Sequence, residues 1–437
     1  MPLSATSSPS AVSPSYGERD VRPEDAWQHG TEAARELGLT FSLAPVPADD
    51  LGAWSCTLYR GGLKVPGGRG FGKGSEPAAR VGSLFEALEH HLTAQLPPAD
   101  EVFLHGADEI AAGPLAGEAA AALLAEGPAL PMACVRYRSL ADDSELAVPL
   151  FWNTPDYLTD QGQARAAHGD TYPYGAVTRY AMNNGWAAGT TPTEALLHAV
   201  NEIVERDAMS LLLVDQFLTR TPHTLRVVDP RTLPTDLRAC HRTAETRVGQ
   251  PVSLLDATTD LGVPVYWAYT PAAAGTPARI RGAGASLSPR CAAERALTEL
   301  VQIHSTATAL AVRPAPGHTR RHPALHRCHL ADFSTALPHA TVIPFADRPA
   351  PATPRAHLAV LLRTLSRRGF TAYARRHHVG AHLAVVNVVV PGLERFVLVT
   401  DGQLVLPGRR GLDRHRQRRA ATTPRQVLPS APPDRNR

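Results

Sequence analysis

The residues best placed to do chemistry are carboxylates spaced three apart: Glu86 with Glu89, and Glu202 with Glu205. They lie in Gly82-Ser83-Leu84-Phe85-Glu86-Ala87-Leu88-Glu89-His90 and in Asn201-Glu202-Ile203-Val204-Glu205-Arg206-Asp207. On a helix, i and i+3 share a face, so each pair points one way. Two such pairs turned toward each other would make a hard-oxygen site for Mg²⁺, the usual companion of nucleotide phosphates. The alternative is a set of surface helices with solvated carboxylates. A third charged run is Arg295-Ala296-Leu297-Thr298-Glu299-Leu300-Val301-Gln302.

Three helices, at 77–95, 191–216 and 288–308, must carry these groups. Each follows a stretch of small residues: Gly67-Gly68-Arg69-Gly70-Phe71-Gly72-Lys73-Gly74, then Asn183-Asn184-Gly185 through Thr193-Glu194, then Gly282-Ala283-Gly284-Ala285-Ser286. The pattern predicts a small-residue turn, a helix start and a charged helix, three times over. Thr191, Pro192 and Glu194 fit the N-cap, N1 and N3 positions of a capping box, and Ser288-Pro289 fits an N-cap and N1. Backbone N–H groups at such starts suit phosphates. Lys73 reads either as a phosphate contact or as a solvated loop lysine.

In order and spacing these segments resemble the YcaO family. Its pattern is GKG, ExxE on one helix, NGxAxG with EAxxxAxxExxERDA, then RALxExxQ. The matching residues are Gly72-Lys73-Gly74, Glu86 and Glu89, Asn184-Gly185 with Ala188-Gly189, Glu194-Ala195, Glu202 to Ala208, and Arg295 to Gln302. Arg19-Asp20-Val21-Arg22-Pro23-Glu24 is similar to the family's first phosphate-contacting segment, and Val390-Pro391-Gly392-Leu393-Glu394 to its closing strand and turn. The resemblance spans roughly 17–400. It departs at Gly82, where Ser is usual, at His90, where Arg is frequent, and in a C-terminus without alternating PxPxP.

The resemblance implies an α+β, YcaO-like mixed fold with a nucleotide site built from three acidic helices. It implies ATP and Mg²⁺ as cofactors, with Glu86, Glu89, Glu202 and Glu205 on the metal. Arg19, Lys73, Asn184, Glu194, Arg206, Arg295, Glu299 and Gln302 are then the nucleotide-binding set, and Glu202, Glu205 and Arg206 the catalytic residues. The implied reaction is ATP-driven activation of a backbone amide in a ribosomally made precursor peptide. Azoline-forming cyclodehydration, as in thiazole/oxazole-modified peptides and bacteriocins, is the leading outcome; thioamide formation with a TfuA-like partner is the alternative. An E1-like leader-binding protein or a TfuA-like protein is the expected partner. A homodimer is left open and no nucleic acid is expected. A nucleotide-binding scaffold without turnover is the rival class.

The composition agrees with one large catalytic domain or two ordinary ones: 437 residues, 43% hydrophobic and 19% charged. No run of 18 apolar residues occurs, so no membrane span is expected. Residues 1–16 read as a disordered start without signal-peptide character, which points to the cytoplasm. Five scattered cysteines form no CxxC and no disulfide framework. The catalytic domain is expected over 17–407, followed by an Arg- and Pro-rich disordered tail at 408–437 that carries Arg409, Arg410, Arg414, Arg416, Arg418 and Arg419. The pattern also predicts strands at 54–60, 262–270, 340–346, 384–390 and 395–400, a helix at 116–125 and a loop at 312–325. The His and Cys residues of the last segment (His318, His322, His326, Cys328, His329) match no standard zinc spacing. There is no Walker loop and no GxSxG elbow.

Overall fold

The computed structural model describes residues 17–46, 53–159, 163–219, 223–271, 281–310 and 317–422. The expected disordered start, 1–16, lies outside the described residues. Three sheets carry the fold. The first is β1 (Thr40–Pro45), β2 (Trp54–Arg60) and β3 (Leu63–Gly72), in that order. The second contains β4 (Phe103–Gly106), β5 (Pro131–Ser139), β6 (Glu145–Pro149) and β7 (Trp186–Gly189). The third contains β8 (Arg226–Val228), β9 (Ser253–Asp256), β10 (Val265–Tyr269), β11 (Arg281–Ala285) and β12 (Thr341–Ile343). β13 (Tyr373–Val379) and β14 (Ala384–Val389) complete the second sheet. The second sheet runs β4-β5-β13-β14-β7 with β6 beside β5, and the third runs β11-β10-β9-β8-β12. Among the described residues only the β8–β12 pairing is parallel.

The helices are α1 (Pro23–Glu36), α2 (Glu76–Thr93), α3 (Ala107–Ala112), α4 (Ala119–Glu126), α5 (Leu150–Asn153), α6 (Gln163–Ala167), α7 (Pro192–Leu213), α8 (Thr235–Val248), α9 (Pro289–Leu310), α10 (Pro323–Leu330), α11 (Pro354–Arg367) and α12 (Arg409–Thr422). The expected acidic helices are α2, α7 and α9. The mixture of separate, mainly antiparallel sheets and packed helices is the expected α+β class. No helix is long and apolar enough to cross a membrane among the described residues.

Each acidic helix lies flush on a strand of small residues, and this corrects the expectation that the first and third glycine stretches are turns. Gly67 to Gly72 belong to β3, and Gly282 and Gly284 to β11. A Cβ on Gly72 would lie 1.7 Å from the Ala79 carbonyl oxygen, and one on Gly70 would lie 2.3 Å from the Ala87 nitrogen. On Gly282 and Gly284 it would fall 2.2 Å and 2.1 Å from carbonyl oxygens of α9. These glycines let helix and strand backbones touch.

β14 is buried on both faces. Val386 and Val388 pack toward α7, while Leu383 and Val385, with Trp186 and Ala188 of β7, pack toward α2. α2 and α7 therefore cover opposite faces of one sheet and meet around its β7 edge.

Three other expectations need correction. Residues 395–400 form a 3₁₀ helix, Phe396–Asp401, instead of a strand. Val397, Leu398 and Val399 are buried from every side, and such a run has no period to separate strand from helix. The described part of the expected 312–325 loop is a 3₁₀ turn at Gly317–Arg321 leading into α10. The tail is not disordered where it is described: residues 409–422 are helical. Arg410 joins Asp207 at 2.9 Å and Asp260 at 2.5 Å, and Arg414 joins Asp215 at 2.8 Å. Asp207 and Asp215 are buried, so these arginines are not charges in water, and sequence spacing alone does not pair them with acids about 200 residues away.

Candidate nucleotide and metal site

The edge strands of the three sheets converge on the acidic helices. β3, β7 and β11 each end a sheet, and each has N–H groups that no neighbouring strand takes. Glutamates take them instead. Glu86 accepts from Phe71 N at 2.8 Å, Glu89 from Ala188 N at 2.8 Å, and Glu299 from Ala283 N at 3.4 Å. Glu202 accepts from Gly185 N at 3.1 Å, where Gly185 turns into β7 with φ of 72°. The acids thus hold three sheets to three helices while facing one another.

The electrostatics show how closely they face. Burial first, then the charges of Glu202 and Glu86, pushes Glu89 up to about 8. Burial first, then Glu299, pushes Glu205 up to about 8. Glu86 and Glu202 are also raised, mainly by burial. Like charges in a low-dielectric site resist ionising together. Lys73 pairs with Glu299, and Arg206 with Glu202 at 2.9 Å. Two cations thus stand among five carboxylates, and a divalent cation suits the uncompensated charge.

As they stand, no three His, Cys, Asp or Glu side chains among the described residues close around a metal ion. The same holds for the His and Cys residues after 317. Cys328 is fully buried, and His329 Nδ1 meets the Val399 carbonyl at 3.1 Å. No cysteine offers a reactive thiolate near the acids, since burial pushes Cys291, beside Arg295, up to about 12.

The cations approach from separate elements. Arg206 is fixed by Glu202, the Asn183 carbonyl and Asn184 Oδ1 at 3.0 Å. Arg295, in the second turn of α9, meets Glu18 at 2.7 Å and the Ala285 carbonyl at 3.2 Å. Arg19 reaches Glu194 at 2.7 Å. Glu194 also accepts from the Thr190 amide and hydroxyl, so it closes on the residue before the N-cap; Thr191 Oγ1 accepts from Glu194 N as expected. Ser288 caps α9 through Cys291 N at 3.3 Å. Gln302 stands on α9 two turns beyond Arg295, on the same face.

Sequence reading missed the layer behind these groups. Glu18, 3% exposed, accepts from Ser286 Oγ at 2.5 Å and Asn201 Nδ2 at 3.3 Å while pairing with Arg295. Asn387 Nδ2 donates to the Asn184 carbonyl at 2.9 Å, and its Oδ1 accepts from Tyr137 and Asn153 at 2.7 and 2.8 Å. Asn387 had a signal: it is a lone amide within the apolar run Ala384-Val385-Val386-Asn387-Val388-Val389, and a buried amide needs partners. Glu18 had none beyond its place beside Arg19.

A sequence model of the YcaO family, described as YcaO cyclodehydratase, ATP- and Mg²⁺-binding, matches residues 71–394. The chain belongs to the YcaO family. ATP and Mg²⁺ are the cofactors of that family. Its fold is shared with the YcaO of Methanopyrus kandleri bound with AMPPCP and Mg²⁺, at a TM-score of 0.61 and 20% identity. That match covers 90% of this chain and 97% of the other. A heterocyclase in complex with substrate and cofactor aligns with a TM-score of 0.59 and 18% identity, over 86% of this chain and 53% of the other. This YcaO chain thus spans about half the length of that heterocyclase. An uncharacterised protein in the tfuA 3′ region of Rhizobium leguminosarum bv. trifolii is 35% identical over 136 residues, 29% of this chain and 31% of that protein.

Proposed function

We propose that this YcaO protein uses MgATP to activate a backbone amide of a ribosomally made peptide, with azoline-forming cyclodehydration as the main outcome. The observation that carries the reading is the half-buried cluster of Glu86, Glu89, Glu202, Glu205 and Glu299, bordered by Lys73, Arg206, Arg295 and Arg19. The four paired glutamates would hold Mg²⁺, and the cationic border, with Asn184, Glu194 and Gln302, would hold the nucleotide. Bound MgATP supplies the phosphoryl group that makes an amide oxygen a good leaving group. Arg206 has its Nη1 held by three partners, so the guanidinium is oriented in advance and stabilises developing negative charge with little reorganisation. A Cys, Ser or Thr side chain of the substrate peptide adds to the amide carbonyl carbon and loses its S–H or O–H proton. The carbonyl oxygen, phosphorylated by ATP with release of ADP, leaves as phosphate, and the amide nitrogen loses its proton to form the C=N bond, so the ring forms with net loss of water.

A second reading is thioamide formation with a TfuA-like partner. The Rhizobium relative in the tfuA 3′ region favours it. In that outcome sulfide replaces the side-chain nucleophile. Mass spectrometry of the peptide, incubated with the protein, ATP, Mg²⁺, sulfide and its partner proteins, separates the two. Loss of one water per site supports the ring, and exchange of oxygen for sulfur supports the thioamide. Glu202→Gln should abolish either change. An unmodified peptide with wild-type protein, under all these additions, would leave a scaffold that binds nucleotide without turnover.

A further inference from the structure

His198 lies on α7 one turn after Glu194 and one turn before Glu202. At i, i+4 and i+8 the three side chains share a face, and Glu194 and Glu202 show that this face is turned to the site. Arg295 of α9, Arg19 of the N-terminal segment and Lys73 after β3 all bear on the His198 ring. Burial first, then these three charges, holds its pKa well below the ordinary value, so the imidazole is neutral. Its Nδ1 is buried and has no hydrogen-bond partner. A buried polar nitrogen left unpaired is unfavourable, and a leucine would fill the position without that penalty.

We propose that His198 is a further phosphate-contacting residue, its Nδ1–H donating to an oxygen of the bound nucleoside triphosphate. The inference rests on reading this site as the nucleotide site. The cations that bear on the ring, Arg19, Lys73 and Arg295, pair with Glu194, Glu299 and Glu18. A polyphosphate answers both features: its charge suits Arg19, Lys73 and Arg295, and its oxygens accept from the unpaired nitrogen. The imidazole adds a neutral donor to the charged donors of Arg19, Lys73 and Arg295.

The test measures binding of AMPPCP with Mg²⁺ by calorimetry, without turnover. His198→Leu should weaken affinity about tenfold, equivalent to about 1.4 kcal/mol, while adenosine binding stays unchanged. An asparagine amide nitrogen falls near the Nδ1 position and a glutamine amide nitrogen near Nε2. His198→Asn should therefore restore most of the affinity and His198→Gln should not. Equal affinity in wild type and a folded His198→Leu overturns the inference; if that variant does not fold, equal affinities of the Asn and Gln variants overturn it. Wild-type protein that binds no AMPPCP overturns the nucleotide reading itself, and this inference with it.

Discussion

Glu18 and Arg295 form a 2.7 Å ion pair that ties the N-terminal segment to the start of α9, with the carboxylate 3% exposed. Burial acts to raise Glu18, but Arg295, the Ser286 hydroxyl, His357 and Arg19 outweigh it and hold the carboxyl below its usual range. The pair aims Arg295 and anchors the chain just before Arg19. Breaking a buried pair from one side costs about 3–5 kcal/mol. Glu18→Ala should therefore lower the thermal midpoint by several degrees and weaken AMPPCP binding. Differential scanning fluorimetry and calorimetry check both; an unchanged midpoint would mean that the pair is solvated.

Arg206→Lys keeps the charge but loses the planar guanidinium, which engages Glu202, Asn184 and the Asn183 carbonyl through Nη1 alone and keeps its other N–H donors for a phosphate. Turnover of the peptide should fall about tenfold or more, as for loss of a single oriented donor at a transition state. The thermal midpoint should move little. Wild-type turnover in the lysine variant would leave Arg206 as a structural partner of Glu202 only.

The carboxylate cluster makes the ligand-free protein sensitive to pH. A carboxyl held above its unfolded value contributes stability below that value and loses it as pH rises through the folded one. For Glu89 and Glu205 the window runs from the ordinary 4.5 to about 8. Glu118 and Glu394, each pushed to about 7 by burial, add a similar trend outside the site. The thermal midpoint should fall across this window, and Glu89→Gln should flatten part of the slope. Mg²⁺ with AMPPCP should flatten it further, since ionised carboxylates bind the cation. Superimposable midpoint curves for wild type and Glu89→Gln would contradict this account.

Arg410 of α12 is the main cation on Asp207, a fully buried acid next to Arg206. Arg410→Ala leaves that charge unpaired and should destabilise the fold by about 3–5 kcal/mol. Adding Asp207→Asn should recover much of the loss, because the two sites couple through one interaction. Denaturant unfolding of the two single variants and the double variant measures the coupling. Additive losses would show that α12 is held by its other contacts.

The sequence by itself determined which groups carry charge and which helices present them. Glu86 with Glu89 and Glu202 with Glu205 follow from helical spacing, and Thr191 and Ser288 mark helix starts from their own chemistry. Such signals are local, so they survive reading one segment at a time. Tertiary structure decided what those groups meet. Glycines read as turns proved to be strand positions pressed against α2 and α9, because close backbone approach is set by the partner element. The buried run at Phe396–Asp401 became a 3₁₀ helix because uniform burial erases periodicity. Glu18, His198 and Asn387 entered the site, with Glu18 reaching Ser286 across 268 residues, and Arg410 found Asp207 across 203. A residue's type states what partner a buried polar group needs, and only the folded chain states which one it has.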